Sequence, residues 1–102
     1  MITLSALTSL ENNSGLTLKN GQPVSYKTGF QVATSGIETT DAGAALQAVR
    51  NYGGNCGIWY SDGIYYVDES RRVKTKRDAL KIGRAHNQIS VLSWQNMQLI
   101  YC

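Results

Sequence analysis

Hydrophobic and polar positions in the second half of the chain follow one order twice: a stretch with helical spacing, then two short stretches that alternate like strands. The frame Ala-Leu-x-x-x-Arg-x-aromatic covers residues 45–52 and returns at residues 79–86, 34 positions later. We therefore predict an internal repeat of two helix–hairpin units, over approximately residues 39–68 and 74–102.

Both predicted helices are flanked by residues that are typical of helix ends. Thr39-Thr40-Asp41 precedes the first helix and Thr75 precedes the second, and such side chains accept hydrogen bonds from the first backbone N–H groups of a helix. Gly53-Gly54 is typical of a helix end. We expect the second helix to run from about Lys76 to His86.

The first hairpin is predicted from two alternating stretches, residues 57–61 and 64–68, on either side of Asp62-Gly63. Asp-Gly is a preferred two-residue hairpin turn because both residues tolerate positive φ. Three pairs of side chains then lie opposite each other: Ile58 with Val67, Trp59 with Tyr66, and Tyr60 with Tyr65.

The second hairpin is predicted from residues 88–94 and 97–101, with Gln95-Asn96 at the turn. Moving the register of the first hairpin forward by 33 positions pairs Val91 with Ile100, two β-branched residues that suit a strand. The helix frame and the hairpin register are independent features, and both predict the repeat.

The first forty residues are predicted to contribute strands, preceded by a short helix within residues 2–11. Leu16–Leu18 and Val24–Tyr26 are expected to pair, and Phe30–Ala33 to form or extend a strand. We predict an α+β fold in a single domain, residues 1–102, with a mainly antiparallel twisted sheet, two helices on one of its faces, and the order ββαββαββ.

Both faces of the first hairpin are apolar. One face carries Ile58, Tyr60, Tyr65 and Val67, and the other carries Trp59, Ser61, Ile64 and Tyr66. Because two short helices cover only one face, we expect the other to meet a second sheet, a second subunit or a partner. The candidate partner-binding residues are Trp59, Tyr60, Tyr65 and Tyr66.

The length of 102 residues and the apolar share of 42 % predict one small folded domain, without a large internal ligand cavity. Residues 1–10 lack the basic start and the continuous apolar run of a secretory signal, and no apolar stretch reaches the roughly 20 residues of a membrane span. We therefore expect a cytoplasmic protein that does not bind a membrane and keeps Cys56 and Cys102 reduced.

The net charge of +3 comes from one segment. Residues 1–70 hold three basic and six acidic side chains, whereas residues 71–84 hold seven basic side chains and one acidic side chain. One hypothesis is that this segment binds the phosphates of a nucleic acid while exposed aromatic rings stack on its bases. The alternative is a solvated connector that keeps the protein soluble. The candidate anion-binding residues are Arg71, Arg72, Lys74, Lys76 and Arg77.

Cys56 and His86 are the one pair of residues suited to nucleophilic catalysis. Cys56 lies on the glycine-rich bend of residues 53–57, where backbone N–H groups can hold an oxyanion, and His86 can act as a base. The alternative is a structural cysteine, because the carbonyl end of the preceding helix raises the pKa of a nearby thiol. No spacing fits a metal site and no cofactor-binding motif is present, so we expect neither metal nor cofactor.

Residues 66–73, Tyr-Val-Asp-Glu-Ser-Arg-Arg-Val, and residues 79–91, Ala-Leu-Lys-Ile-Gly-Arg-Ala-His-Asn-Gln-Ile-Ser-Val, resemble parts of small domains of uncharacterised proteins from phages and other mobile elements. The resemblance implies a genetic setting rather than an activity, and no catalytic or binding residues come with it. It implies accessory roles, such as the inhibition of a host defence or regulatory complex.

These features favour a non-catalytic interaction protein that binds a protein partner, or a second copy of itself in a homodimer, through the aromatic face or edge of its sheet. The second hypothesis is a nucleic-acid-binding accessory protein that uses the basic segment. The third is a small cysteine-dependent enzyme that uses Cys56 and His86.

Overall fold

Seven strands and three helices form the fold of residues 2–102, the part of the chain that the computed structural model describes. The helices are α1 (Leu4–Thr8), α2 (Ala42–Tyr52) and α3 (Lys76–Ala85). The strands are β1 (Ser14–Lys19), β2 (Gln22–Pro23), β3 (Phe30–Thr39), β4 (Asn55–Ser61), β5 (Ile64–Val73), β6 (Ser90–Ser93) and β7 (Gln98–Tyr101). They form one antiparallel sheet in the order β2-β1-β4-β5-β3-β6-β7. The predicted α+β class is confirmed.

The two predicted longer helices are confirmed, together with the residues that begin and end them. The Asp41 carboxylate accepts a hydrogen bond from the Gly43 N–H at 2.9 Å, and the Thr75 hydroxyl accepts one from the Asp78 N–H at 3.2 Å. Each bond satisfies an N–H group that has no partner inside its helix. Gly53 ends α2 with a φ of 57°, a conformation that glycine adopts without a steric penalty.

Both hairpins have the predicted register. β4 and β5 place Ile58 opposite Val67, Trp59 opposite Tyr66 and Tyr60 opposite Tyr65, and β6 and β7 place Val91 opposite Ile100. Asp62 and Gly63 have φ of 51° and 79°, as the favoured two-residue turn requires. The two hairpins occupy different places in the sheet: the first lies in the middle, and the second forms one edge. The internal repeat therefore stays a prediction.

β3 and β5 are longer than the sequence predicts, because they pair with each other over nearly their whole length. β3 continues past the predicted stretch Phe30–Ala33 to Thr39, and β5 continues past residue 68 to Val73. Arg71 and Arg72 therefore lie in a strand, and the interpretation of the basic segment as a solvated connector is wrong for these two residues.

β2 is shorter than predicted, and the expected strand Val24–Tyr26 belongs instead to a stretch that we call the crossing segment, residues 24–29. β2 is the strand at one edge of the sheet, whereas β3 is four positions away from it in the strand order. The crossing segment therefore passes the ends of β1, β4 and β5 before β3 begins.

The helices cover one face of the sheet over two hydrophobic clusters. The larger cluster includes Leu18 and Ile58 and lies against α1 and α2, and the smaller joins Val32, Ala79 and Val91 beneath α3. Burying a valine, leucine or isoleucine side chain stabilises the folded state by about 1.5–3 kcal/mol. Strand residues at the alternate positions point to the opposite side, which we call the open face.

Candidate binding groove

A groove of about 610 Å³ lies across the open face and is lined by residues from all seven strands. Short side chains in the middle of the sheet leave this space: Gly15, Thr17, Ala33, Gly57, Ser70 and Ser90. Larger apolar side chains line the rest of it: Trp59, Leu92, Trp94, Met97 and Leu99. Trp59 and Leu99 keep 46 % and 58 % of their surfaces exposed, so the groove presents apolar area to solvent.

Asp68 is the one charged residue among residues 2–102 that lines this groove. Its neighbours across the sheet are Gly57 on β4 and Gly36 on β3. A Cβ at Gly57 would stand 2.9 Å from the Asp68 carboxylate oxygen Oδ1, and a Cβ at Gly36 would stand 3.2 Å from the Asp68 Cβ. The two glycines therefore make room for the Asp68 side chain, which any larger residue at either position would crowd.

Burial raises the pKa of Asp68 to about 6, although a hydrogen bond from the Gly57 N–H acts in the opposite direction. At neutral pH the carboxylate is therefore still charged, in a position where the charged form is poorly solvated. A nearby positive group would stabilise that form. The site is thus electrostatically suited to a cation.

The acidic character of the open face extends from Asp68 to Glu38. A second depression of about 520 Å³ includes Asp68 and is also lined by Glu38 and Tyr66. Glu38 lies opposite Tyr66 and two residues beyond Gly36 on β3, so it belongs to the same face as Asp68. Two carboxylates and an aromatic ring therefore share this region.

The crossing segment closes one end of the groove and is held there by Arg72. The Arg72 guanidinium lies 4.6 Å from the centre of the Tyr26 ring, and its Nη2 donates a hydrogen bond to the Thr28 carbonyl oxygen at 2.9 Å. The Tyr26 ring meets the Trp94 ring edge-on, with ring centres 5.4 Å apart. These contacts tie the segment to β5 and to the end of β6.

A chain of buried hydrogen bonds supports the same end of the groove. Trp94 Nε1 donates to Gln31 Oε1 at 3.1 Å, and Gln31 Nε2 donates to Ser70 Oγ at 2.8 Å. All three residues are buried, so the bonds are shielded from competing water. The chain fixes the Gln31 amide and the Trp94 ring in one arrangement, and the groove exists before anything binds.

The four predicted partner-binding aromatic residues divide between the two faces. Trp59 and Tyr66 lie on the open face, whereas Tyr60 and Tyr65 pack toward the helices with ring centres 4.7 Å apart. Tyr65 is buried and its hydroxyl donates to the Leu7 carbonyl oxygen at 3.2 Å. As a correction, Tyr65 belongs to the core and is not available to a partner, because strand alternation places it under α1.

The predicted anion-binding residues do not line the groove. Arg71, Lys74, Lys76 and Arg77 are exposed, and the guanidinium of Arg72 is engaged by the crossing segment. The exposed residues Arg77, Lys81 and Arg84 follow each other along α3 at spacings of four and three. This spacing places them on one side of the helix as a basic stripe.

The structure does not join Cys56 and His86 into one site. Cys56 is buried in the larger core cluster, whereas His86 is exposed at the end of α3, which packs on β3, β5 and β6. Burial, with a smaller contribution from Asp68, raises the pKa of the Cys56 thiol to about 11. The thiol is therefore protonated at neutral pH, which is the unreactive form.

Sequence patterns alone did not single out Asp68 or the hydrogen-bonded pair Gln31 and Trp94 as groove residues. Gly57 and Gly36 carry the only local signal for the Asp68 site, since glycine within a strand often marks a close approach. Their relation to Asp68 depends on the order of β4, β5 and β3 in the sheet, which is set by pairing between distant parts of the chain.

Comparisons of the chain with protein-family models, with curated proteins and with solved structures found no match. None of the helices formed by residues 2–102 has the length and apolar character needed to cross a membrane.

Proposed function

We propose that this protein is a non-catalytic binding module that holds a partner protein in the groove of its open face. The groove itself carries the proposal. It has a volume of about 610 Å³, and its rim exposes large apolar side chains such as Trp59 and Leu99. Contiguous exposed apolar surface on a small protein is typical of an interaction site.

The extent of the groove favours a segment of a protein over a small molecule. Its lining runs from β2 to β7, a distance of six strand spacings or about 29 Å. An extended segment of about eight or nine residues covers this distance, since a strand rises about 3.4 Å per residue. A small metabolite would fill only part of the groove.

An accessory role that works by binding agrees with what the resemblance to phage and mobile-element domains implies. The two cysteines are free, and the cytoplasm is the compartment in which such thiols persist. We place the proposed interaction there.

Site-specific photo-cross-linking tests the proposal. A photoreactive phenylalanine analogue replaces Met97, which lines the groove and is exposed, and in a control protein it replaces Gln47, which is exposed on α2. We expect the probe at residue 97, and not the probe at residue 47, to cross-link a protein from an extract of the source cells. Excess unlabelled wild-type protein should prevent the cross-link, and excess Thr17→Trp, in which the indole fills the groove, should not.

Equal cross-linking from both positions, or equal competition by wild type and Thr17→Trp, would contradict the proposal. A cross-link between two copies of the purified protein through residue 97 would identify the partner as a second copy. The proposed homodimer would then be the form that the binding takes.

A second candidate function is the binding of an anionic partner such as nucleic acid by the basic stripe on α3. The stripe supports it because Arg77, Lys81 and Arg84 are all exposed on one side of the helix. The test is titration of a labelled duplex and a labelled single strand at two salt concentrations. Binding that weakens steeply with salt and is reduced in Lys81→Glu, but not in Lys19→Glu on β1, would support it. Absence of binding at low salt would exclude nucleic acid.

A further inference from the structure

The open face combines a carboxylate, aromatic rings and an apolar groove within one region, and we propose that it recognises a basic side chain of the partner segment. The lysine or arginine head group would bind the Asp68 carboxylate, and its hydrocarbon stem would lie along the groove beside Trp59. The inference rests on the proposed function and adds the chemistry of the bound segment.

The site lacks a cation of its own. No lysine or arginine of residues 2–102 lines the groove, although the chain as a whole carries a net charge of +3. Arg72, four residues beyond Asp68 on β5, is engaged by the Thr28 carbonyl oxygen and the Tyr26 ring. The second acidic side chain on this face, Glu38, adds to the attraction for a positive group. The charge that the region lacks is the one that a partner must bring.

The surroundings of Asp68 favour a long, flexible cationic side chain. Asp68 lies among residues with little or no side chain, with Gly57 and Gly36 as its cross-strand neighbours. A flexible four-carbon lysine stem or an arginine stem can reach a carboxylate at the bottom of such a depression while the partner backbone stays near the rim. A short cationic group fixed to a bulky body would not reach it.

Two aromatic rings lie on the open face close to Asp68. Trp59 and Tyr66 lie opposite each other on β4 and β5, and both belong to the open face next to the Gly57–Asp68 pair. A cation that lies over an aromatic face gains additional attraction, and tryptophan gives the strongest interaction of this kind. Trp59 is also exposed, so a ligand can contact its ring without any movement of the core.

The charge on Asp68 lowers the stability of the fold. The carboxylate of Asp68 is partly desolvated, and its raised pKa shows that the fold disfavours the charged form. A polar uncharged residue would fit the same position at lower cost to the folded state. A charged group held where it weakens the fold is typical of a binding or catalytic position.

The test uses single-residue probes and the whole ¹⁵N-labelled protein at pH 7.5. The probes are N-acetyl-lysine methylamide and N-acetyl-arginine methylamide, with N-acetyl-norleucine methylamide as the neutral control, which has the lysine stem without the ammonium group. Binding is followed by the backbone amides of Gly57, Gly36 and Ser70 and by the indole N–H of Trp59. The protein variants are Asp68→Asn and, as a control with the same change in charge, Asp62→Asn in the hairpin turn.

We expect the two basic probes to shift these signals and norleucine to bind at least about 10-fold more weakly. Asp68→Asn should weaken the basic probes by roughly 10- to 100-fold, the range for a hydrogen bond to a charged group, whereas Asp62→Asn should bind as the wild type does. The amide spectrum of each variant shows directly whether it is folded.

Equal binding of lysine and norleucine probes, or equal binding by Asp68→Asn and wild type, would overturn the inference. The cross-linking experiment separates this failure from failure of the proposed function. If excess unlabelled Asp68→Asn prevents the cross-link through residue 97 as the wild type does, and excess Thr17→Trp does not, the groove binds a partner but not through a basic side chain. If wild type and Thr17→Trp compete equally for every cross-link, the proposed partner interaction itself is contradicted.

Discussion

Gly57 and Asp68 lie directly opposite each other on β4 and β5, and the Asp68 carboxylate lies in the space that a larger side chain at residue 57 would need. A Cβ at residue 57 would stand 2.9 Å from Oδ1 of Asp68, closer than such atoms stand in folded proteins. An alanine here must displace the carboxylate or the strand. The pair therefore offers a direct test of the groove as a binding site.

Gly57→Ala should weaken binding in the groove while leaving the protein folded. The methyl group occupies the space next to the carboxylate, and we expect the cross-link through residue 97 and the binding of the lysine probe to fall about 10-fold or more. The fold should persist, because strands favour alanine over glycine. Gly43→Ala at the exposed start of α2 is the matched control, because it adds the same methyl group away from the groove and at ordinary contact distance from Asp41. It should bind as the wild type does, and equal binding by Gly57→Ala and Gly43→Ala would contradict the prediction.

Asp68 should make the protein less stable as the pH rises from about 4 to about 6. The pKa of Asp68 in the folded protein is about 6 and its ordinary value is 3.8, so between these values the folded state binds more protons than the unfolded state. The free energy of unfolding therefore falls as pH rises through this window, by at most about 3 kcal/mol, and is flat above it.

Asp68→Asn removes this dependence, and the variant should be more stable than the wild type at pH 7.5 and closer to it at pH 4.5. Urea unfolding of both proteins at the two pH values measures the effect. Other titrating groups are common to both proteins and cancel in the difference. A difference in unfolding free energy that is the same at both pH values would show that the carboxylate is not held in an unfavourable position.

Gln31 should contribute more to stability than an ordinary polar residue on a strand. Gln31→Leu keeps the size of the side chain but removes the acceptor of the Trp94 N–H and the donor to Ser70 Oγ. Buried groups left without partners are costly, and we expect a loss of about 2–3 kcal/mol in the free energy of unfolding. Gln47→Leu on the exposed side of α2 is the control and should change it by no more than about 0.5 kcal/mol. Similar losses of stability in both variants would contradict a special role for the buried hydrogen bonds that join Trp94, Gln31 and Ser70.

Local signals were sufficient to predict the helices and the hairpin registers. Asp41 and Thr75 act on N–H groups two and three residues away, and Asp62-Gly63 joins two strands that are adjacent in the sequence. These contacts join residues that are close in the sequence, so a short stretch of chain is enough to predict them. Strand alternation likewise showed that Trp59 and Tyr65 lie on opposite faces, although it did not show which face the helices cover.

Long-range pairing decided the remaining features. β5 continues through Arg71 and Arg72 because β3, some forty residues earlier in the chain, pairs with it. Asp68 becomes a site because Gly36 and Gly57, on two different strands, flank it in the assembled sheet. The groove end likewise depends on Tyr26 meeting Trp94 across the fold. No window of a few residues contains these relationships.

The two cysteines should differ sharply in reactivity toward a thiol reagent such as Ellman's reagent at pH 8. Cys102 is exposed, whereas Cys56 is buried and the pKa of its thiol is raised to about 11, first by burial and then by Asp68. Because the thiolate is the reacting form, we expect one thiol per chain to react quickly and the second to react only after urea unfolds the protein. Cys102→Ser should lose the fast reaction, and Cys56→Ala should keep it. A fast reaction that persists in Cys102→Ser would show that reagents reach the Cys56 thiolate in the folded protein, and it would restore the cysteine-dependent enzyme as a serious hypothesis.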